Sequence, residues 1–204
     1  MPNETQNKVL FNLKNVHIAP ITGFTNGVPS YDTIFAWPGA VSLALDPQGE
    51  SYIFYADGKP YFRVTKNNGY SGDFQSALVP ETFNEKILGV EKDSNGVRLE
   101  KALTEDKHFA MLYEIDGDQK SRRVCDYDCT ATRPKVEHKT NEEGVEVQVH
   151  TSTITSTPVD FGNGNVLPRA WCEQGDAAYA GWFENVYVPG TTIESSTSND
   201  EDPE

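Results

Sequence analysis

Apolar and polar residues alternate along much of this chain, and the alternation predicts strands. Near the beginning, Val9, Phe11 and Leu13 occupy every second position. Because successive side chains of a strand point to opposite faces, this spacing predicts a first strand with one apolar face. A second strand is predicted over residues 34–45, with a bend or bulge at Pro38-Gly39, where proline removes a hydrogen-bond donor from the ladder.

Residues 46–69 have a different pattern, in which turn pairs enclose two short aromatic stretches. The turn pairs are Asp46-Pro47, Asp57-Gly58 and Asn67-Asn68, and the aromatic stretches are residues 52–55 and 61–64. This pattern predicts a small hairpin carried on a long loop. Two strands cannot form a core of their own, so the aromatic side chains must pack on the chain's own domain or on a neighbouring subunit. The residues that we expect at this contact are Asp46, Tyr52, Phe54, Tyr55, Tyr61 and Phe62.

A short helix is predicted after Pro80. Proline is favoured at the first helical position, and Gly89 stands where a helix can end. Between them, Phe83, Ile87 and Leu88 share one face, which we expect to dock on the sheet.

A second short helix is predicted after Asp176, a residue type that caps helices. Apolar residues follow at positions i, i+3, i+4 and i+7, before Pro189-Gly190 ends the pattern. The residues expected to dock this helix are Tyr179, Trp182, Phe183 and Val186.

The middle of the chain predicts more strands. Residues 109–132 read as a long antiparallel hairpin that turns at Asp116-Gly117-Asp118. Residues 145–154 alternate again and predict a strand with one apolar and one wet face. The whole pattern indicates a mainly β fold with one or two short helices.

Alternation in the second strand of that hairpin separates two kinds of side chain. Cys125, Tyr127 and Cys129 are expected on one face, which can pack. Asp126 and Asp128 are expected on the other face, which is either a solvated outer surface or the wall of a channel.

Composition and charge limit the domain organisation and the partners. The 204 residues, 37% of them hydrophobic, are enough for one main domain. The formal charge of −14 opposes nucleic-acid binding, because affinity for phosphates comes from Lys and Arg. Acidic residues crowd the Ser/Thr-rich end, so residues 190–204 are predicted to be a disordered tail and residues 1–7 a flexible arm. The main β domain is therefore expected over residues 8–189.

The sequence carries no sign of a membrane segment, an export signal or a disulfide framework. No stretch approaches the roughly 20 apolar residues of a membrane span, and the start lacks a basic segment followed by an apolar one. Cys125, Cys129 and Cys172 are odd in number and form no CxxC pair. We therefore expect a soluble protein with reduced thiols in a cytoplasm.

Residues with catalytic or ligand chemistry are present without the spacing that such chemistry needs. The four histidines form no HExxH or HxH motif, and no GxSxG, phosphate-binding or dinucleotide-binding motif occurs. We expect a protein that is not an enzyme and that has no catalytic residues, metal site or cofactor.

Several segments, taken in order, resemble the major tail protein family of long-tailed phages and prophages of Gram-positive bacteria, the siphophage tail-tube proteins. They cover most of residues 8–189, and their order and spacing make the resemblance specific. The matching segments are VLFNLKNVHIA (9–19), PGAVSLALDPQGESYIF (38–54), NNGYSGDFQSALVPETFNEKIL (67–88), FAMLYEIDG (109–117), CTATRPKV (129–136) and WFENVYVP (182–189).

This resemblance implies a β-sandwich or half-barrel with a flanking helix, and a structural role in the virion. Six copies would form a ring whose strands close into one barrel, and the rings would stack into a tube around a tape-measure protein. The tube would join a tail terminator and baseplate proteins, and DNA would later pass through it without specific binding. Residues 46–69 would then make contacts between rings, and Asp126 and Asp128 are candidates for the channel wall.

Two other readings remain open. One is a different tail component on a related fold, such as a terminator or a baseplate hub, because a fold alone does not determine position in a particle. The other is a carbohydrate-binding β-sandwich, which Trp37, Trp171, Trp182 and many tyrosines suggest.

Overall fold

Antiparallel strands form most of the structure, a computed structural model in which residues 6–105, 107–138, 140, 148–162 and 164–191 are described. The prediction of a mainly β chain is confirmed. In chain order the elements are β1 (Leu10–Thr25), β2 (Val28–Tyr31), β3 (Phe35–Ala36), β4 (Ala40–Pro47), β5 (Ser51–Ala56), β6 (Lys59–Thr65), β7 (Tyr70–Ser76), α1 (Glu81–Lys86), β8 (Glu91–Lys92), β9 (Arg98–Leu99), β10 (Phe109–Gly117), β11 (Arg122–Ala131), β12 (His150–Thr157), β13 (Val159–Asp160), β14 (Val166–Leu167) and β15 (Arg169–Glu173).

The main sheet contains nine strands. Hydrogen-bonded neighbours follow the order β2, β1, β10, β11, β12, β7, β4, while β3 pairs with β1 and β15 pairs with β11 outside this path. Strand β11 pairs with two strands along one edge: with β15 through residues 122–126 and with β12 through residues 128–131. Strand β4 comes close to β1, so the sheet is curved. No pairing among the described strands joins β4 to β1 or β2, so one subunit leaves the sheet open.

Both faces of the central strand β10 are buried, which divides the interior into two cores. Phe109, Met111 and Tyr113 point into the first core, and Ala110 and Leu112 point into the second. A strand that is buried on both faces reads as a continuous apolar run, as FAMLY does here. The other buried residues of the first core are Val16, Ile18, Trp37, Phe74, Phe83, Ile87, Leu88, Val124, Cys129 and Ile154, and those of the second are Ala19, Cys125, Tyr127, Val159, Cys172 and Trp182.

Helix α1 is the helix predicted after Pro80, and it covers one side of the first core. Pro80 is the N-cap, one residue before the first helical position. The Phe83 ring lies 4.3 Å from the Trp37 ring and 5.5 Å from the Phe109 ring, measured between centroids. The structure places all three expected docking residues, Phe83, Ile87 and Leu88, in the first core.

The prediction of a second helix after Asp176 is wrong, because residues 174–185 form successive turns. The backbone N–H of Tyr179 donates to the carbonyl of Asp176 and that of Trp182 to the carbonyl of Tyr179, each three residues back. The expected apolar residues still face inward. Trp182 is buried in the second core, and Tyr179, Phe183 and Val186 pack against it.

Several expectations for the termini concern residues outside the described ranges. Asn7, predicted to belong to the flexible arm, is held by the β10–β11 turn. Its Nδ2 donates to the Lys120 carbonyl at 2.8 Å, and its Oδ1 accepts from the backbone N–H groups of Gln119 and Lys120. Three other predictions fall wholly or partly outside the described ranges. They concern the arm at residues 1–5, the acidic tail at residues 192–204, and residues 145–147 of the predicted strand 145–154. No helix among the described residues has the length and apolar character to cross a membrane.

Candidate interaction surface

A two-stranded hairpin, β5–β6 (residues 51–65), extends the β4–β7 pair beyond the sheet. The ladder continues through the connecting residues, since Gln48 N–H donates to the Gly69 carbonyl at 2.8 Å and Lys66 N–H donates to the Glu50 carbonyl at 3.1 Å. At the tip, Asp57 and Gly58 both have positive φ, 54° and 71°, as a two-residue hairpin turn requires. The predicted hairpin therefore exists, and its base is a hydrogen-bonded ribbon instead of a loose loop.

Aromatic side chains of the β5–β6 hairpin are exposed to solvent in the single subunit. The exposed fractions are 63% for Tyr52, 48% for Phe54, 60% for Tyr55, 76% for Tyr61 and 57% for Phe62. The two strands contact mainly each other. Within the described part of the chain these side chains do not pack on the domain. Packing on another molecule stays a prediction.

Cross-strand pairing gathers part of this apolar surface on one face of the hairpin. Phe54 lies opposite Phe62, and Tyr52 lies opposite Val64, two residues farther along each strand. Residues two apart on a strand share a face, so these four side chains form one continuous strip. Asp46, by contrast, lies opposite Ser71 in the β4–β7 ladder, where the ribbon joins the main sheet (the root of the ribbon), and is not part of the hairpin.

Two glycines set the position of the ribbon: Gly69, just before β7, and Gly72, within β7. A Cβ atom on Gly69, whose φ is 104°, would lie 1.9 Å from the Ser156 carbonyl oxygen. A Cβ on Gly72 would lie 1.9 Å from the Ala44 carbonyl oxygen. Only glycine allows such close approach of two backbones, so these positions bring β7 tightly against both of its neighbours.

A buried ion pair connects the root of the ribbon to the core. Arg169 donates to both carboxylate oxygens of Asp126, at 2.7 and 3.0 Å. Its guanidinium also lies 4.0 Å from the centre of the Tyr70 ring, where β7 begins. Burial raises the pKa of Asp126, while the bonds from Arg169 act in the opposite direction. The pair therefore joins β11, β15 and β7 at one point.

The expectation that Asp126 lies on a solvated outer surface or on a channel wall is wrong in both forms, because this residue is fully buried. Asp128 is not a free surface charge either: its carboxylate lies 2.5 Å from Nδ1 of His108 and accepts from the Thr157 hydroxyl at 3.1 Å. Its side chain keeps 12% of its accessible surface. In the single subunit, therefore, neither carboxylate is exposed as a free negative charge that could repel DNA.

In the part of the chain that the structure describes, the residues with reactive or ligand chemistry lie apart or are buried. Cys125, Cys129 and Cys172 are free and buried, and burial raises the pKa of each thiol, which disfavours the thiolate form. Within the described ranges, no group of three or more His, Cys, Asp or Glu side chains is arranged to hold a metal ion.

The tryptophans that suggested a carbohydrate module do not form a shared platform. Trp37 and Trp182 are buried, one in each core, and Trp171 is exposed on β15. The apolar spacing after Asp176 predicted that Trp182 packs, but no local pattern separated Trp37 from Trp171, because tryptophan is common both in cores and at binding surfaces.

Comparison of the chain with models of protein families gives no match, and comparison with curated proteins gives none either.

Proposed function

We propose that this chain is the major subunit of the tail tube of a long-tailed bacteriophage, a structural protein without enzymatic activity. Six copies form a ring, and rings stack around the tape-measure protein between the tail terminator and the baseplate. The assembled tube belongs to the virion and is built in the host cytoplasm. DNA crosses its lumen without specific binding.

The β5–β6 hairpin is the observation that carries this proposal. It projects from the sheet and exposes five aromatic residues. A contiguous apolar surface of this kind usually marks a contact with another molecule. Because the hairpin lies at one end of the β4–β7 ribbon, a contact through it is directional, as stacking of identical rings requires.

The open sheet and the charge agree with the same role. β2 and β4 end the order of paired strands, and an unpaired edge invites pairing with another chain unless something covers it. A ring of copies removes such edges by closing the strands on one another. The formal charge of −14 gives DNA few positive groups to which it would adhere during passage.

Electron microscopy of the concentrated, purified protein tests the proposal. We expect tubes with six-fold symmetric layers. In a second sample, residues 51–65 are replaced by Asn-Gly, a turn that joins Glu50 to Lys66, whose backbones are already hydrogen-bonded. This hairpin-deleted variant should keep a cooperative thermal unfolding transition, which shows that the subunit is folded, and should form no tubes.

A matched control separates loss of apolar contact from loss of length. The triple variant Tyr52→Ser/Phe54→Ser/Phe62→Ser keeps both strands and should also fail to elongate. Single rings from the wild-type chain would favour a terminator, and a wild-type chain that stays monomeric at every concentration would contradict the tube role.

A further inference from the structure

A groove of about 320 Å³, lined by six apolar and six polar or charged residues, lies on the surface beside α1. Its apolar walls are continuous with exposed side chains, since Leu78 is 67% and Val136 is 79% exposed. The apolar residues that line it are Leu78, Val79, Leu88, Val90, Pro134 and Val136. Its volume suits one or two aromatic rings of a partner.

The groove and the β5–β6 hairpin lie at opposite ends of the same ribbon. Strand β7 begins at Tyr70, where the hairpin leaves the sheet, and ends at Ser76, two residues before Leu78. His150, which pairs with Ser76, lines the groove as well. At about 3.4 Å per residue, β7 separates the two features by roughly 20 Å, and the hairpin extends roughly 25 Å beyond the sheet.

The charged side chains that line the groove are already paired within the chain, which leaves its apolar residues as the surface open to a partner. A cationic or anionic partner would have to compete with these pairs. The pairs are Glu81 with Arg98 at 2.8 Å, Glu100 with Arg133 at 3.1 Å, and Lys135 with Glu137 at 2.8 Å.

Charge favours the hairpin of a second copy as the occupant. Lys59 and Arg63 against Asp57 give residues 51–65 a formal charge of +1, which leaves −15 on the rest of the chain, because the whole chain carries −14. Two chain bodies repel each other, whereas the hairpin is attracted to a neighbouring body. The hairpin also carries the aromatic strip that the apolar residues of the groove accept.

We propose that the β5–β6 hairpin of one copy docks in the Leu78–Val136 groove of the next copy along the tube. This inference rests on the proposed function and names the acceptor for its stacking contact. Because donor and acceptor lie at opposite ends of one ribbon, each added copy presents a new groove or a new hairpin, and the assembly stays open-ended.

A blocked-groove variant, Leu78→Asp/Val136→Asp, tests the proposal. Both side chains are exposed, so the variant should fold, but two carboxylates in the groove should prevent tube growth. The control, Leu103→Asp/Val166→Asp, adds the same charge at exposed residues outside the groove, 92% and 54% exposed, and should grow tubes as the wild type does.

Mixing the blocked-groove variant with the hairpin-deleted variant gives a second readout that also checks folding. Each variant retains the partner that the other lacks, so the mixture should form two-layer assemblies, seen by electron microscopy and sedimentation velocity, that grow no further. Tubes from the blocked-groove variant alone, or no complex in the mixture, would overturn the docking site while wild-type tubes uphold the proposed function. Absence of wild-type tubes would overturn both.

Discussion

One extra residue in β11 changes where several side chains point. Phe109 pairs with Cys129, and Met111 pairs with Asp126. Between these two pairs β10 advances by two positions and β11 by three. This bulge ends the simple alternation. Cys125 and Tyr127 therefore point into the second core, while Cys129 points into the first, together with Val124. The prediction that all three share one face is right for the first two and wrong for Cys129.

Asp126→Asn tests the buried ion pair at the residue scale. The substitution leaves the partly buried Arg169 guanidinium, whose side chain keeps 19% of its accessible surface, without a counter-charge. We therefore expect a loss of about 3 kcal/mol in the free energy of unfolding, at the low end of the cost of breaking a buried pair. Urea denaturation measures this loss. Asp46→Asn, at an exposed carboxylate, is the control and should change stability by less than about 0.5 kcal/mol. A loss below about 1 kcal/mol for Asp126→Asn would contradict the buried pair.

At the scale of elements, two segments with helical spacing behave differently, and local hydrogen bonds explain the difference. In α1, backbone bonds such as Asn84 N–H to the Pro80 carbonyl close helical turns. After Gly175, by contrast, the Asp176 carboxylate accepts from the backbone N–H of Glu173, upstream of it, at 2.7 Å. An N-cap would instead accept from an amide two or three residues downstream. Successive turns, and not a helix, bring the apolar side chains after residue 176 onto the second core.

Phe83→Ala tests how firmly α1 is held. The Phe83 ring is fully buried between Trp37 and Phe109, so its removal should lower the free energy of unfolding by about 3–5 kcal/mol. Urea denaturation followed by tryptophan fluorescence measures the change. Leu78→Ala, at a residue that is 67% exposed, is the control and should have a much smaller effect. Equal losses for both variants would contradict the docking of α1 through Phe83.

At the scale of the whole molecule, the acidic charge opposes the association that the exposed hairpin favours. Each copy carries −14, so copies placed side by side repel one another. Salt screens this repulsion, because the Debye length falls from about 30 Å at 0.01 M to about 10 Å at 0.1 M. Apolar contact at the hairpin is far less sensitive to ionic strength over this range.

We therefore expect the critical concentration for tube growth to fall when NaCl is raised from about 0.01 M to about 0.1 M. Light scattering and pelleting measure it, and the hairpin-deleted variant should show no growth at either salt concentration. A critical concentration that rises with salt would indicate that attraction between opposite charges, and not apolar contact, dominates the assembly.

Local signals in the sequence were enough to predict the mainly β class, helix α1 and the aromatic hairpin. Alternation, the proline and glycine around α1, and the turn pair Asp57-Gly58 act over a few residues and survive in the folded chain. The tertiary structure alone decided that Asp126 meets Arg169, that Cys129 leaves the face of Cys125, and that a groove lies at the far end of the ribbon. Those outcomes depend on a bulge and on pairings between residues distant in the chain, and a local pattern carries no information about either.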